Sequence, residues 1–133
     1  MKFYRCKICG NVEMLQEGES KELVCCGMKM DELKSKSVDA SFEKHVPHCI
    51  VEDNKIKVSV GEVLHPMTEE HYIMFIMRVV DNKIDRVDLS PNDIPTTEFN
   101  YVKGSKIYAY CNLHGLFESD ELWKRNLLNF WIF

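Results

Sequence analysis

Cys111 and His114 stand three positions apart in Tyr110-Cys111-Asn112-Leu113-His114-Gly115. A thiolate and an imidazole at that spacing can be aimed at one metal ion by a single turn. Gly115, directly after, permits a backbone bend that a Cβ would oppose. Cys-x-x-His alone is a weak signal, and three upstream histidines give it weight. His45 lies in Glu43-Lys44-His45-Val46-Pro47 and His65 in Gly61-Glu62-Val63-Leu64-His65-Pro66-Met67, while His71 follows across the acidic loop Thr68-Glu69-Glu70. Each sits where a strand should begin or end, and the loop between His65 and His71 is long enough to fold back on one ion. A lone histidine of this kind is an ordinary solvated or hydrogen-bonded side chain. Five nitrogen and sulfur donors together exceed the four that close a structural zinc site. Four imidazoles in a plane with one thiolate beneath would leave one face open, and an open face on iron suits small-molecule redox chemistry. The expectation is one iron held by His45, His65, His71, Cys111 and His114.

A second constellation opens the chain. Cys6-Lys7-Ile8-Cys9 is a C-x-x-C knuckle, and Cys25-Cys26 follow after 15 intervening residues. Four thiolates so spaced suit a tetrahedral site for zinc or for a single iron. Two adjacent thiolates on one ion should distort the tetrahedron, and chemistry alone leaves zinc and iron open, with a vicinal disulfide as a third option. The intervening Gly10–Glu22 is too polar to build a core, so a metal would have to staple the unit. Gly10 and Gly27 follow the two pairs, where tight turns around a metal need positive φ.

The elements that must position these residues read as all-β. Strands are expected at Lys2–Arg5, Asn11–Leu15 and Glu22–Val24 in a small first unit. A charged linker or loose loop is expected over Met30–Ser41. Beyond it, Val46–Val51 and Ile56–Val60 flank the turn dipeptide Asp53-Asn54. His71–Val80, Lys83–Leu89, Thr96–Val102 and Ser105–Cys111 follow, separated by Asp81-Asn82, by Ser90–Pro95 and by Lys103-Gly104. About seven short strands at this spacing predict a sandwich. The divisions expected are residues 1–37, 38–121 and an apolar extension over 122–133. In a chain of 133 residues with net charge −4 and no long basic run, nucleic acid is not the expected partner. The opening Met1–Cys6 lacks the apolar stretch of a signal peptide, and the longest apolar run, Tyr72–Met77, is 6 residues, too short to span a bilayer. A soluble cytoplasmic protein is therefore expected, where six cysteines mean metal sites rather than disulfides.

Taken together, Cys6-x-x-Cys9, Cys25-Cys26, Glu43-Lys44-His45-Val46-Pro47, His65-Pro66-Met67, His71 and Tyr110–Gly115 resemble desulfoferrodoxin, the two-iron class of superoxide reductase. The similarity runs from about Phe3 to Phe117. It implies a desulforedoxin-like first domain with a rubredoxin-type iron at Cys6, Cys9, Cys25 and Cys26, and so favours iron over zinc there. It also implies an immunoglobulin-like β-sandwich whose iron is held by four histidines and Cys111, and a homodimer. The implied activity is one-electron reduction of superoxide to hydrogen peroxide without oxygen release, with a rubredoxin-like protein as electron donor. An axial thiolate from Cys111 would push electron density onto the iron, as it does in thiolate-ligated haem. The resemblance assigns Glu43 as a sixth ligand of the resting ferric state, displaced on reduction. Lys44 would place a positive charge near the open face and draw in the anion. Without the resemblance Glu43 and Lys44 read as a solvated pair on a loop. His48 and Cys49 depart from the family, which has apolar residues there. They read as an exposed side chain and a small buried one, with an accessory metal site as the rival. The tail from Leu122 to Phe133 has no family counterpart and is expected to pack on its own domain or on a dimer mate.

Three other functions compete: an electron carrier using the four-cysteine centre, a zinc-stabilised binding module with the histidines as a metal store, and a superoxide dismutase, which would release oxygen.

Overall fold

The computed structural model describes residues 1–16, 18–19, 21–37, 45–61, 65–119 and 122. Among these there are strands and turns and no helix, so no helix is long and apolar enough to cross a membrane. The chain divides into two compact units, Met1–Lys34 and Ser35–Phe133.

The first unit holds β1 (Lys2–Arg5), β2 (Val12–Leu15), β3 (Val24–Cys25), β4 (Met28–Lys29) and β5 (Asp31–Leu33). A three-stranded antiparallel sheet runs β2-β1-β5, and β3-β4 is a separate two-stranded ribbon. Phe3, Leu15 and Met30 are buried in this unit together with Cys6. Three apolar side chains are a small core, as expected for a unit that a metal must staple. The linker expectation over Met30–Ser41 is corrected at its start. Met30 is buried and Asp31–Leu33 pairs with β1, Phe3 standing opposite Leu33. The charged side chains of β5 hid it, because an edge strand is held by backbone bonds and needs little apolar sequence.

The second unit is built from β6 (Pro47–Glu52), β7 (Lys55–Val60), β8 (Ile73–Val80), β9 (Lys83–Asp88), β10 (Thr96–Asn100), β11 (Lys106–Cys111) and β12 (Gly115–Glu118). They form two antiparallel sheets, β10-β7-β6 and β12-β11-β8-β9. Val51, Ile56, Val58, Val60 and Phe99 from one sheet pack with Ile73, Ile76, Ile107, Ala109 and Cys111 from the other. That shared core makes the unit an immunoglobulin-like sandwich. Asp53-Asn54 and Asp81-Asn82 all have positive φ, from 49° to 64°. They are the I′-type turns that match strand twist and close β6-β7 and β8-β9. The short β12 adds to the expected strands, its leading glycine reading in the sequence as a turn residue.

Register gathers the site. Pro47 at the start of β6 stands opposite Val60 at the end of β7. Cys111 at the end of β11 stands opposite both Ile73 at the start of β8 and Gly115 at the start of β12. The segments carrying His45, His65, His71, Cys111 and His114 thus leave the sheets at matching strand ends.

Candidate metal centres

His45 lies two residues before β6 and is buried, its ring stacked on Phe117 at 4.6 Å with the planes 15° apart. His65 is buried too, its N–H donating to the Val60 carbonyl at 3.1 Å. Its Nδ1 lies 2.7 Å from the Pro66 carbonyl oxygen. A carbonyl only accepts, so Nδ1 carries the proton and Nε2 keeps the lone pair that a metal needs. His71 is fixed by a closed turn: its N–H donates to the Thr68 carbonyl at 3.2 Å, and the Thr68 N–H donates back at 3.0 Å. The pairing of β11 with β8 shifts register between Tyr110 and Cys111. Such a bulge re-aims a side chain, and Cys111 is fully buried. Gly115 takes φ 90°, and the chain reverses there into β12.

The four imidazoles close a quadrilateral. Successive ring centres are 4.6 Å apart for His45–His65, 4.5 Å for His65–His71, 5.2 Å for His71–His114 and 4.7 Å for His114–His45. The His45–His71 diagonal is longer, at 6.1 Å. Cys111 Sγ lies 3.8 Å from His114 Nδ1, which lies 3.0 Å from His45 Nε2. The ligand atoms of His45, His71, Cys111 and His114 all fall within 4.8 Å of one another. Two nitrogens bound at right angles to one ion, each at about 2.1 Å, would be about 3.0 Å apart, as this pair is. Five soft-to-borderline donors, a thiol among them, suit iron better than a hard cation. His45, His65 and Cys111 are buried while His114 is exposed, so the cluster has a closed floor and a side reached by solvent.

Cys6, Cys9, Cys25 and Cys26 also converge, with all four sulfurs within 4.8 Å of one another. Cys9 Sγ and Cys25 Sγ are 3.6 Å apart, and Cys25 Sγ and Cys26 Sγ 3.9 Å. Tetrahedral bonds of about 2.3 Å give edges of about 3.8 Å. The adjacent pair therefore meets tetrahedral spacing without the distortion expected of it. Positive φ at Cys26, 53°, turns the second thiol toward the first, and Gly27 follows at 74°. The sulfurs are not disulfide-bonded. Backbone N–H groups of Cys9 and then Ile8, with the Cys9 and Cys25 thiols, bring the Cys6 thiol down to about 6 against a smaller opposing effect of burial. Cys25 is pushed up to about 12, first by the Cys9 thiol, then by Cys6 and burial, and Cys26 is raised as well. Four thiols crowded this closely favour their ionised form together only beside a positive ion, which a metal supplies.

The sequence profile described as desulfoferrodoxin matches residues 37–120, and that of the desulfoferrodoxin N-terminal domain matches residues 1–33. The chain belongs to the desulfoferrodoxin family. A desulfoferrodoxin of Syntrophotalea carbinolica is 43% identical over 121 residues, 90% of this chain and 96% of its own length. A superoxide reductase of Thermococcus kodakarensis is 37% identical over 105 residues, 64% of this chain and 91% of its own. The crystal structure of the superoxide reductase from Treponema pallidum superposes with a TM-score of 0.73 at 26% identity, covering 90% of this chain and 97% of that one. Both centres are thus iron sites of the desulfoferrodoxin type, and the chain carries donors that fit iron at each.

Against that family background, Glu43, Lys44 and residues 123–133 lie outside the described residues. His48 is exposed, Cys49 packs against the sandwich core, and neither falls in a cluster of metal donors among the described residues. Leu122, the start of the tail, packs against the same core. Sequence reasoning missed two supports. Asn112 clamps the His71 loop: its amide donates to the Glu70 carbonyl at 3.0 Å, its Oδ1 accepts from Tyr72 N–H at 3.0 Å, and its N–H donates to the Tyr72 carbonyl at 3.2 Å. Phe117 backs His45. An asparagine inside the Cys-x-x-His loop was the available signal for the first, and nothing local marked the second.

Proposed function

We propose that the chain is a superoxide reductase, reducing superoxide to hydrogen peroxide by one electron and two protons without release of oxygen. The observation that carries this reading is the closed ring of four imidazoles beside a buried thiol, open to solvent on the His114 side. When bound at His45, His65, His71, Cys111 and His114, iron supplies the electron. The residues do the rest. Cys111, fully buried, would keep its charge for the metal rather than for solvent. Pro66 sets the tautomer of His65, and the Thr68 turn with Asn112 holds His71 in place. Lys44 would draw the anion toward the site, and Glu43 would be a further donor to the oxidised iron. Domain roles follow from the same reading: the first unit, Met1–Lys34, carries the four-cysteine iron centre, the second the reaction, and residues 122–133 a packing extension. The working assembly is a cytoplasmic homodimer that takes electrons from a rubredoxin-like protein.

The test is an assay of iron-loaded protein under a superoxide flux, with a reductant supplied. Peroxide without oxygen, and about two irons per chain, is the expected result. Oxygen released alongside peroxide would make the protein a dismutase. No iron after iron-replete expression would leave a zinc-stabilised module.

A further inference from the structure

Lys36 is an exposed residue whose backbone is fixed beside the histidine cluster. Its N–H donates to the Leu116 carbonyl at 3.0 Å, and its carbonyl accepts from Glu118 N–H at 2.8 Å. These two bonds form an isolated parallel bridge to Phe117 along the open edge of β12. From there the ammonium donates to the His114 carbonyl at 3.2 Å. The same nitrogen stands 5.4 Å from the centre of the Phe117 ring, and that ring stacks on His45. One cation therefore meets the peptide of one ligand and the aromatic face lying against another.

We propose that Lys36 is a positioning residue that sets the reduction potential of the histidine–cysteine centre. The inference rests on the reading of that cluster as an iron centre. Reduction adds one electron to the ferric centre and makes it ferrous, so the site becomes more negative by one charge. A fixed cation nearby favours the more negative state. A charge-assisted bond to the His114 carbonyl also holds the ligand turn in one geometry more firmly than a neutral bond would. The charge raises the potential and keeps the centre reducible by a mild donor.

The experiment is a redox titration of the full-length, iron-loaded chain, followed by the visible absorption of the histidine–cysteine centre. Wild type is compared with Lys36→Gln, which retains a hydrogen-bond donor without the charge, and with Lys36→Arg, which retains both. Lys36→Gln should lower the potential by about a tenfold change in the one-electron equilibrium constant, or about 59 mV. Lys36→Arg should stay close to wild type. Because only loaded sites absorb, a lower iron content would not hide the shift. An unchanged potential in Lys36→Gln overturns the role of Lys36 and leaves the reductase reading intact. A wild-type cluster that takes up no iron overturns the reductase reading instead.

Discussion

Each ligand is held by a neighbour that does not itself bind metal. Pro66 orients His65 through a 2.7 Å contact, Phe117 lies flat against His45, and Asn112 ties the Cys111 turn to the His71 loop. The residues that gather at this cluster were legible in the sequence as candidate donors because their chemistry is rare and their spacing suits turns. The supports were not, because asparagine and phenylalanine carry no ligand signal and Phe117 meets His45 only after the chain has folded. Replacing Asn112 with alanine should remove two side-chain bonds and cost about 1–3 kcal/mol. Thermal melting and iron content should both fall, and a variant that keeps full iron occupancy would show the clamp to be dispensable. Lys44→Ala tests a charge rather than a support. It should slow the reaction with superoxide and flatten its dependence on salt. A rate unchanged at low ionic strength would remove Lys44 from steering.

Among the elements, the strands with β-branched and aromatic alternation were readable within a residue or two, and so were the turns at Asp53-Asn54 and Asp81-Asn82. β4, β5 and β12 were not. β4 is only two residues long, β5 is charged and exists by pairing with β1, and β12 begins on the glycine that ends the ligand turn. That glycine links local backbone to site geometry. Gly115 adopts φ 90°, and a Cβ added there would meet no atom within 4 Å. The cost of Gly115→Ala is therefore conformational rather than steric crowding, about 1–3 kcal/mol. Gly115→Asn should lose less, because asparagine tolerates the left-handed region better. Denaturant unfolding of the two variants gives the comparison, and equal losses would argue against a backbone origin.

For the whole molecule, alkaline pH should erode stability before neutral pH does. Lys106 is raised above its ordinary 10.5 chiefly by its bond to Glu118, and Tyr108 above 10.0 by burial. Lys57 is raised in the same sense by Glu52. Each folded value lies above its unfolded one, so the contribution is complete below about pH 10 and is lost as pH rises through the folded values. Stability measured against pH should be level through neutrality and fall beyond about pH 10, and Glu118→Gln should weaken the Lys106 part of that fall. The two metal clusters also differ in how far apart their ligands lie along the chain. The four cysteines span Cys6 to Cys26, within one short segment with little core, whereas His45 and His114 meet only when both sheets of the sandwich are in place. Loop closure of that length precedes any metal contact, and β-sandwiches with such distant pairings fold slowly. Maturation should therefore run in opposite orders at the two places. A chelator present during refolding should leave the cysteine unit unstructured while the sandwich still reaches its strand pairing, and amide exchange in the two units measures the difference.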